Sequence, residues 1–453
     1  MKNIHVRKLW TVFLASSISA PLAQPLDAVN KDKTSLLKAI EIAQANDPWL
    51  KGSEFQQLKI NALAESAGQL PDPKFSIGVA NLNTDNFTFN QEPMSQLKIG
   101  VTQVFSKGKS RSLKAGQMKI LANEQPLIRA NRKALLTEQV TQLWLDIYQS
   151  KKSIQLIQNN QKLFAQVSQL QLARNRSGLK GINLQDAINV QLELALLEDR
   201  LTQFKQNEDQ KTATLLGYLN ESPERQSLVK NSLLHKFSLD LNTKLPVLVL
   251  LPVVFDSEYI NNEKLIKTLQ KHPVILAKTK QIEAENMAVS LAQQKYKPAW
   301  GVNVSYGYRN SANNDTKRAD LLSVGLTFDM PLFPSKRQDQ DVKAAIYSVS
   351  NKETEKALLL RQMISSFHSE HAQLLRLKQR RKLYADTLLP QMKQHVEALL
   401  ATYTTDGGAI VEVVRAQIAE INAQIEALNV EVSIVKSKAK LNYLLVGERH
   451  EIK

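Results

Sequence analysis

Three pairs of landmarks in this chain stand at one fixed spacing. Pro48 in NDPWL matches Pro273 in KHPVI (273 − 48 = 225), Pro73 matches Pro298, and Gly100 in LKIGVTQ matches Gly325 in LSVGLTF, all at the same offset. A repeat of that length in 453 residues is one unit written twice. Each copy must then supply half of a single architecture, so what is read in one copy constrains the other.

Within each copy, two segments alternate apolar with small or polar residues, the period of two that gives a strand unlike faces. Phe75, Ile77 and Val79 alternate with Ser76, Gly78 and Ala80; Leu97, Ile99 and Val101 alternate with Lys98, Gly100 and Thr102. The second copy sets Trp300, Val302, Val304, Tyr306 and Tyr308 against Gly301, Asn303, Ser305, Gly307 and Arg309. It also sets Leu322, Val324, Leu326, Phe328 and Met330 against Ser323, Gly325, Thr327 and Asp329. Strands are expected over about 74–82, 96–105, 299–309 and 321–330, joined in pairs by the polar loops Asn83–Ser95 and Asn310–Ala319.

Each run has about the 9–11 residues that a tilted strand needs to cross a bilayer. A soluble antiparallel sheet with one wet face would show the same alternation. Trp300 at one end of the third strand and Tyr306 and Tyr308 at the other argue for the membrane, where aromatic rings collect at both interfaces. Phe75, Ile77, Val79, Trp300, Val302, Val304, Tyr306, Leu326 and Phe328 are then the lipid-facing residues. Four strands cannot close a membrane barrel, whose smallest forms have about eight, and open edges in lipid leave backbone groups unpaired. Strands must therefore be shared between copies, and three copies giving about twelve strands is the simplest ring.

The rest reads as long helix, since glycine and proline number only 15 each. Helices are expected over about 109–176 and 183–219 in the first repeat (30–221), and about 336–403 and 409–446 in the second (264–447). A connector (222–263) and a C-terminal tail (448–453) complete the chain. The longest helices would extend roughly 100 Å at 1.5 Å per residue. Val414, Ile418, Ile421, Ile425, Leu428, Val432, Val435 and Ala439 keep an unbroken 4-3 spacing. Leu136, Val140, Leu143, Ile147, Ile154, Ile157 and Phe164 nearly do, with Ser150 and Gln161 as polar exceptions. These are coiled-coil seams, each expected to bury one stripe and leave the remaining faces polar. In helices continuous with barrel strands, the inner polar face would line a water-filled bore.

The start, MKNIHVRK then LWTVFLASSISAPLA, pairs a basic stretch with a short apolar run and small residues, the pattern of a secretory signal over about 1–23. No cysteine is present, which excludes disulfides and a lipid carried on cysteine. No later stretch has the ~18 apolar residues of a membrane helix. The nearest, Leu245–Phe255, contains Pro246 and Pro252. The net charge of +16 is spread along the chain without aromatic interleaving, which suits a basic helical surface beside an anionic envelope better than nucleic acid.

No P-loop, GxSxG or HExxH motif is present and no cofactor is indicated, which argues against an enzyme. His368 and His371 lie one helical turn apart in HSEH and can share a metal. Spacing fixes no further ligand for them, and a solvated helix face explains them more simply. Met94 in QEPM is a thioether that suits a soft cation, or a loop methionine covering apolar surface.

Further segments, in their order and spacing, resemble the TolC family of outer-membrane efflux proteins over nearly the whole chain. They are Asp47-Pro48 and His272-Pro273 ahead of the strand pairs, and LPDPKFSIGVANL followed by a strand ending in VFSKGK. LLPQ at Leu388–Gln391 then leads to Tyr403, Gly407 and the IVEVVRAQ run at Ile410–Gln417. The FTFNQEPMSQ loop is most similar to the heavy-metal branch, the CusC/CzcC-like proteins. The resemblance implies a membrane α+β fold, a duplicated helix–strand–strand–helix unit. Three copies would form a 12-stranded outer-membrane β-barrel continued by a long periplasmic α-helical coiled-coil barrel. It implies a homotrimer partnered by a periplasmic adaptor and an inner-membrane transporter of the resistance–nodulation–division type. The implied role is a passive exit duct for heavy-metal cations, with organic drugs or a type I secretion substrate as alternatives.

The resemblance also implies a periplasmic tip closed at the helix turns. Asp186 and Glu412 hold matching acidic positions (412 − 186 = 226), Tyr403 holds the aromatic gate position, and Arg415 stands where the family has a second acid. The family's basic gate residue falls on Gly408, so the closing network here must differ. Asp186 and Glu412 are also first-turn acids of the kind that stabilise a helix start through its dipole. Three copies of each around a narrow axis would attract cations.

Overall fold

The computed structural model describes residues 35–176, 184–220, 245–248, 261–406 and 410–446. The expected signal segment, most of the 222–263 connector, the 448–453 tail, Gly407 and Gly408 lie outside these residues. Each repeat opens on two short helices, α1 (Leu36–Asn46) and α2 (Pro48–Gly68) in the first, α5 (Asn262–Gln270) and α6 (Pro273–Gln293) in the second. Their starts are written in the sequence. Ser35 and Asn261 accept from the backbone N–H three residues on, at 3.3 and 3.1 Å, and satisfy donors that the helix itself cannot. Asp47 and His272 cap α2 and α6 ahead of a proline at the first helical position, where no N–H is needed.

Two strands follow in each repeat: β1 (Lys74–Ala80) and β2 (Gln96–Phe105), then β3 (Ala299–Tyr308) and β4 (Leu321–Asp329). They form one antiparallel sheet in the order β1-β2-β3-β4, so among the described residues β1 and β4 each keep an unpaired edge. At the β2-to-helix turn Gly108 adopts φ +47°, a left-handed conformation that glycine takes without a Cβ penalty.

Long helices return from the sheet: α3 (Ser110–Arg176) and α4 (Leu184–Leu219), then α7 (Gln338–Leu383), α8 (Leu389–Asp406) and α9 (Ile410–Leu444). The helix expected over 336–403 is not regular throughout. Tyr384–Leu388 forms a π-helical turn between α7 and α8, immediately before Pro390. Proline lacks the N–H that would bond the carbonyl four residues back and its ring crowds that carbonyl; a widened turn there absorbs both effects. Beside the sheet, α2, α3, α6 and α7 pack side by side in that order. This helical layer therefore repeats the strand order and, like the sheet, ends among the described residues in two open edges, at α2 and α7.

Three apolar clusters hold the helices together. One joins α1, α3, α4 and α9 around Leu36, Trp144, Leu215 and Val432; a second joins α5, α6, α7 and α9 around Leu265, Ile275, Phe367 and Ile434. The third joins α3, α4 and α9 around Ile157, Val190 and Val414. The 4-3 seam of α9 is inside: Val414, Ile421, Ile425, Val432, Val435 and Ala439 are buried, with Ile418 and Leu428 half-buried. The expectation of a single buried stripe fails for α9, because Val430, Ile434, Leu441 and Leu444 are buried on another side. The reason is position: α9 is wedged between α3 and α7 and must satisfy both. Among the described residues no helix is long and apolar enough to cross a membrane.

Candidate functional site

Register decides which side chains share a face of the sheet, because directly paired residues in an antiparallel ladder point the same way. Phe75 pairs with Val101, Ile77 with Ile99 and Val79 with Leu97. Val101 continues to Val304, Ile99 to Tyr306 and Phe105 to Trp300. Across β3 the row ends on Phe328, Leu326, Val324 and Leu322. All nine residues expected to face lipid thus lie on one apolar face. It is largely open to solvent in the single chain, Phe75 being 75% and Leu322 72% exposed. Trp300 stacks on Phe105 with centroids 4.1 Å apart at the helix end, while Tyr306 and Tyr308 occupy the loop end. Gln103 is the one polar intruder, and its amide turns to the Pro71 carbonyl at 2.9 Å.

The opposite face carries Ser76, Gly78, Lys98, Gly100, Thr102, Asn303, Ser305, Gly307, Ser323 and Thr327, small or polar almost throughout. Such a two-sided sheet suits apolar surroundings on one side and water on the other.

At the far ends of the long helices, Asp186 and Glu412 are each the third residue of their helix, α4 and α9. Glu412 is exposed; the side chain of Asp186 lies outside the described residues. Tyr403 is half-buried against the third cluster, beside Ile410 and Val414. Arg415 reaches across to α4 and pairs with Glu193 at 3.1 Å within the same chain. These residues are thus distributed over facing helix ends, and Arg415 has a partner that the sequence reading did not foresee.

The metal candidates do not come together. His371 is buried with its ring stacked on Phe367 (centroids 6.2 Å apart, 6° between planes), and burial pushes its imidazole pKa down. The solvated face expected for the HSEH pair therefore fails at His371, which belongs to the core side of α7. His368 meets the edge of Phe367 at 6.0 Å, and Met94 is exposed on its loop. Among the described residues no group of three or more His, Asp or Glu side chains is placed to hold a metal ion.

Two features went unread in the sequence. His272 is fully buried: its Nδ1 accepts from Val274 N–H at 3.2 Å and its Nε2 lies 3.1 Å from the Tyr443 carbonyl. The first bond needs a bare Nδ1, so Nε2 carries the proton and donates it to that carbonyl. Burial lowers its pKa to about 4. The second is a polar ladder on α9, where Arg415, Asn422, Asn429 and Lys436 stand seven residues apart, each one position after a seam residue. Arg415 pairs with Glu193, Asn422 accepts from Arg200, Asn429 accepts from Gln149, and Lys436 donates to Asp146. A second lysine, Lys211 of α4, lies 3.9 Å from the same aspartate. Positions flanking a coiled-coil seam are where such pairs set register, and their spacing of seven was the available signal.

Comparison with known proteins places this geometry. The model of the outer membrane efflux protein family matches residues 265–447. No curated protein matches the chain. Among solved structures the channel CusC superposes with a TM-score of 0.72 at 12% identity, covering 91% of this chain and 92% of that one. The CmeC outer membrane channel of Campylobacter jejuni gives 0.70 at 13%, covering 91% and 85%. The MtrE outer membrane channel of Neisseria gonorrhoeae gives 0.68 at 11%, covering 91% and 88%. Likeness at this identity speaks for the fold, while the family match speaks for the second repeat. Taken together, residues 265–447 match the outer membrane efflux protein family and the chain as a whole has the fold of outer-membrane efflux channels.

Proposed function

We propose that three copies of this chain form the outer-membrane exit duct of a tripartite efflux system. The duct would carry substrate passively from an inner-membrane pump and a periplasmic adaptor to the outside. The observation that carries this is the matched pair of open edges. Among the described residues β1 and β4 end the sheet unpaired, and α2 and α7 end the helical layer beneath them. Both helical edges are apolar and exposed, with Phe55, Leu58 and Leu63 on α2 and Ile346, Tyr347 and Leu358 on α7. Unpaired backbone in lipid costs several kcal/mol per group. A β4/α7 edge meeting the β1/α2 edge of the next copy removes both exposures together. Such head-to-tail contacts close into a ring, and three copies give about twelve strands. The apolar sheet face then meets lipid, and the long helices extend the duct through the periplasm.

Driving energy comes from the pump, since channels of this family are passive conduits and not enzymes. Heavy-metal cations are the proposed cargo, resting on the FTFNQEPMSQ loop alone. The tip acids Asp186 and Glu412 are the proposed cation-attracting ring, with Tyr403 and the Arg415–Glu193 pair beside them. The test is an outer-membrane fraction run with and without heating: a heat-dissociable trimer is expected, and a monomer that forms no pore in planar bilayers would sink the duct. Deleting the gene and finding unchanged tolerance to copper, silver and zinc would remove metal as cargo.

A further inference from the structure

The inward face of the sheet is poor in charge, and the charges left unpaired on it among the described residues are of one sign. By register its ionisable residues are Lys74 on β1, Lys98 on β2 and Asp329 on β4. Asp329 is answered by Lys107 at 2.8 Å. Lys74 and Lys98 are exposed and make no ion pair among the described residues. Lys98 pairs with Gly78 on one side and Gly307 on the other. Neither directly opposed residue carries a side chain; a Cβ added at Gly78 would touch nothing within 4 Å, while the neutral Gln96 amide lies over Gly307. Lys74 pairs with Thr102, four residues along β2 from Lys98, which separates the two by roughly 13 Å at about 3.3 Å per residue.

We propose that Lys98, reinforced by Lys74, is a selectivity-determining residue that gives the sheet end of the duct a preference for anionic solutes. The inference rests on the trimeric reading above, in which this face lines the bore. Threefold repetition turns the two lysines into two stacked rings of positive charge, while the acid on the same face, Asp329, is already answered by Lys107. A narrow aqueous bore with low-dielectric walls focuses such a field, and rings of lysine or arginine are how pores favour anions. The rings also oppose in sign the acids proposed for the periplasmic tip. Small organic anions are therefore the substrate class that the outer half of the duct suits best, and at this end the rings count against the metal cations proposed above as cargo.

The test uses the purified full-length protein in planar bilayers under a KCl gradient at low salt. Lys98→Glu is expected to shift the chloride-to-potassium permeability ratio toward potassium by at least about twofold, and the shift is expected to shrink near 1 M salt, where the Debye length falls to about 3 Å. The chain has no cysteine, so Lys98→Cys introduces its only thiol. An anionic thiosulfonate reagent is expected to modify it and move the ratio the same way. Ile99→Cys, on the opposite face, is expected to stay unmodified in the bilayer. A conducting trimer whose ratio ignores Lys98→Glu, or whose Lys98→Cys thiol is unreactive while Ile99→Cys reacts, overturns the proposal and leaves the duct standing. Failure to form any pore overturns the trimeric reading and this one with it.

Discussion

The two repeats solve one structural problem with different chemistry. At the start of α2, the Asp47 carboxylate accepts from Trp49 N–H at 3.2 Å and is held by Arg132 at 2.8 Å, the guanidinium lying over the Trp49 ring. At the start of α6, 225 residues later, His272 does the capping as a neutral ring sealed inside the protein. The position matching Arg132 is Ala357, so a charged cap there would have no cation to meet. What the fold requires at this joint is an acceptor followed by proline. Whether that acceptor is charged is settled by its surroundings.

The largest predicted effect exploits that difference. His272 has an ordinary pKa of 6.5 unfolded and about 4 folded, so between those values the unfolded chain binds more protons. Stability is then fully present above about pH 6.5 and is lost as pH falls toward 4, by on the order of 3 kcal/mol in total. Protonating Nδ1 would also turn the cap acceptor into a donor facing Val274 N–H. His272→Asn keeps a neutral acceptor, whereas His272→Asp imports the cap of the first repeat without its arginine. We expect His272→Asp to cost about 3 kcal/mol or more at neutral pH, as an unpaired buried charge does, and His272→Asn clearly less. Denaturant unfolding of both variants from pH 7.5 to 4.5 measures this. A His272→Asp protein as stable as the parent would make the two joints interchangeable and break the comparison.

In the first repeat the corresponding change is milder. Asp47→Ala removes a cap worth about 1 kcal/mol and strands a half-buried guanidinium, for a total near 2 kcal/mol. Asp47→His is the sharper variant. With Arg132 beside it a histidine is discouraged from protonating, so it is expected to cap well at pH 7.5 and to lose stability on acidification more steeply than the parent. Melting at two pH values decides. A flat response would mean that Arg132 turns away and that the charged pair adds nothing to the cap.

How far the chain could be read follows from which forces leave periodic marks. The four alternating segments are the four strands, because a two-sided environment imposes a period of two on residues such as Trp300, Val302 and Val304. The α9 seam was visible for the same reason at spacing 4-3. Its second stripe at Val430 and Ile434 was not, since apolar residues on two sides of a helix blur a single-stripe pattern. The burial of His272 and His371 left no mark either: a lone histidine looks the same in sequence whether it caps a helix in the core or faces water. The ladder of Arg415, Asn422, Asn429 and Lys436 is periodic as well, but a polar repeat on a helix reads as a solvated face until the partner helix that answers it is in place. The π-helical turn before Pro390 shows the remaining limit, in that proline marks the site of a disturbance without saying how the helix absorbs it.

The ladder supplies the smallest effects and a comparison within one helix. At its sheet-side end Lys436 is 24% exposed and shares Asp146 with Lys211; at its tip end Arg415 is 56% exposed and has Glu193 alone. Screening by water should make the two rungs unequal although both are ion pairs at the same heptad position. In double-mutant cycles, Lys436→Ala with Asp146→Ala is expected to show a coupling of about 1 kcal/mol that persists in high salt, and Arg415→Ala with Glu193→Ala a few tenths that vanish there. An equal or larger coupling at Arg415 would contradict burial as the cause. It would mean that the tip pair is dehydrated in the assembled trimer, where a neighbouring chain covers it, and so would place Arg415 at the closed end of the duct by energetics instead of by resemblance.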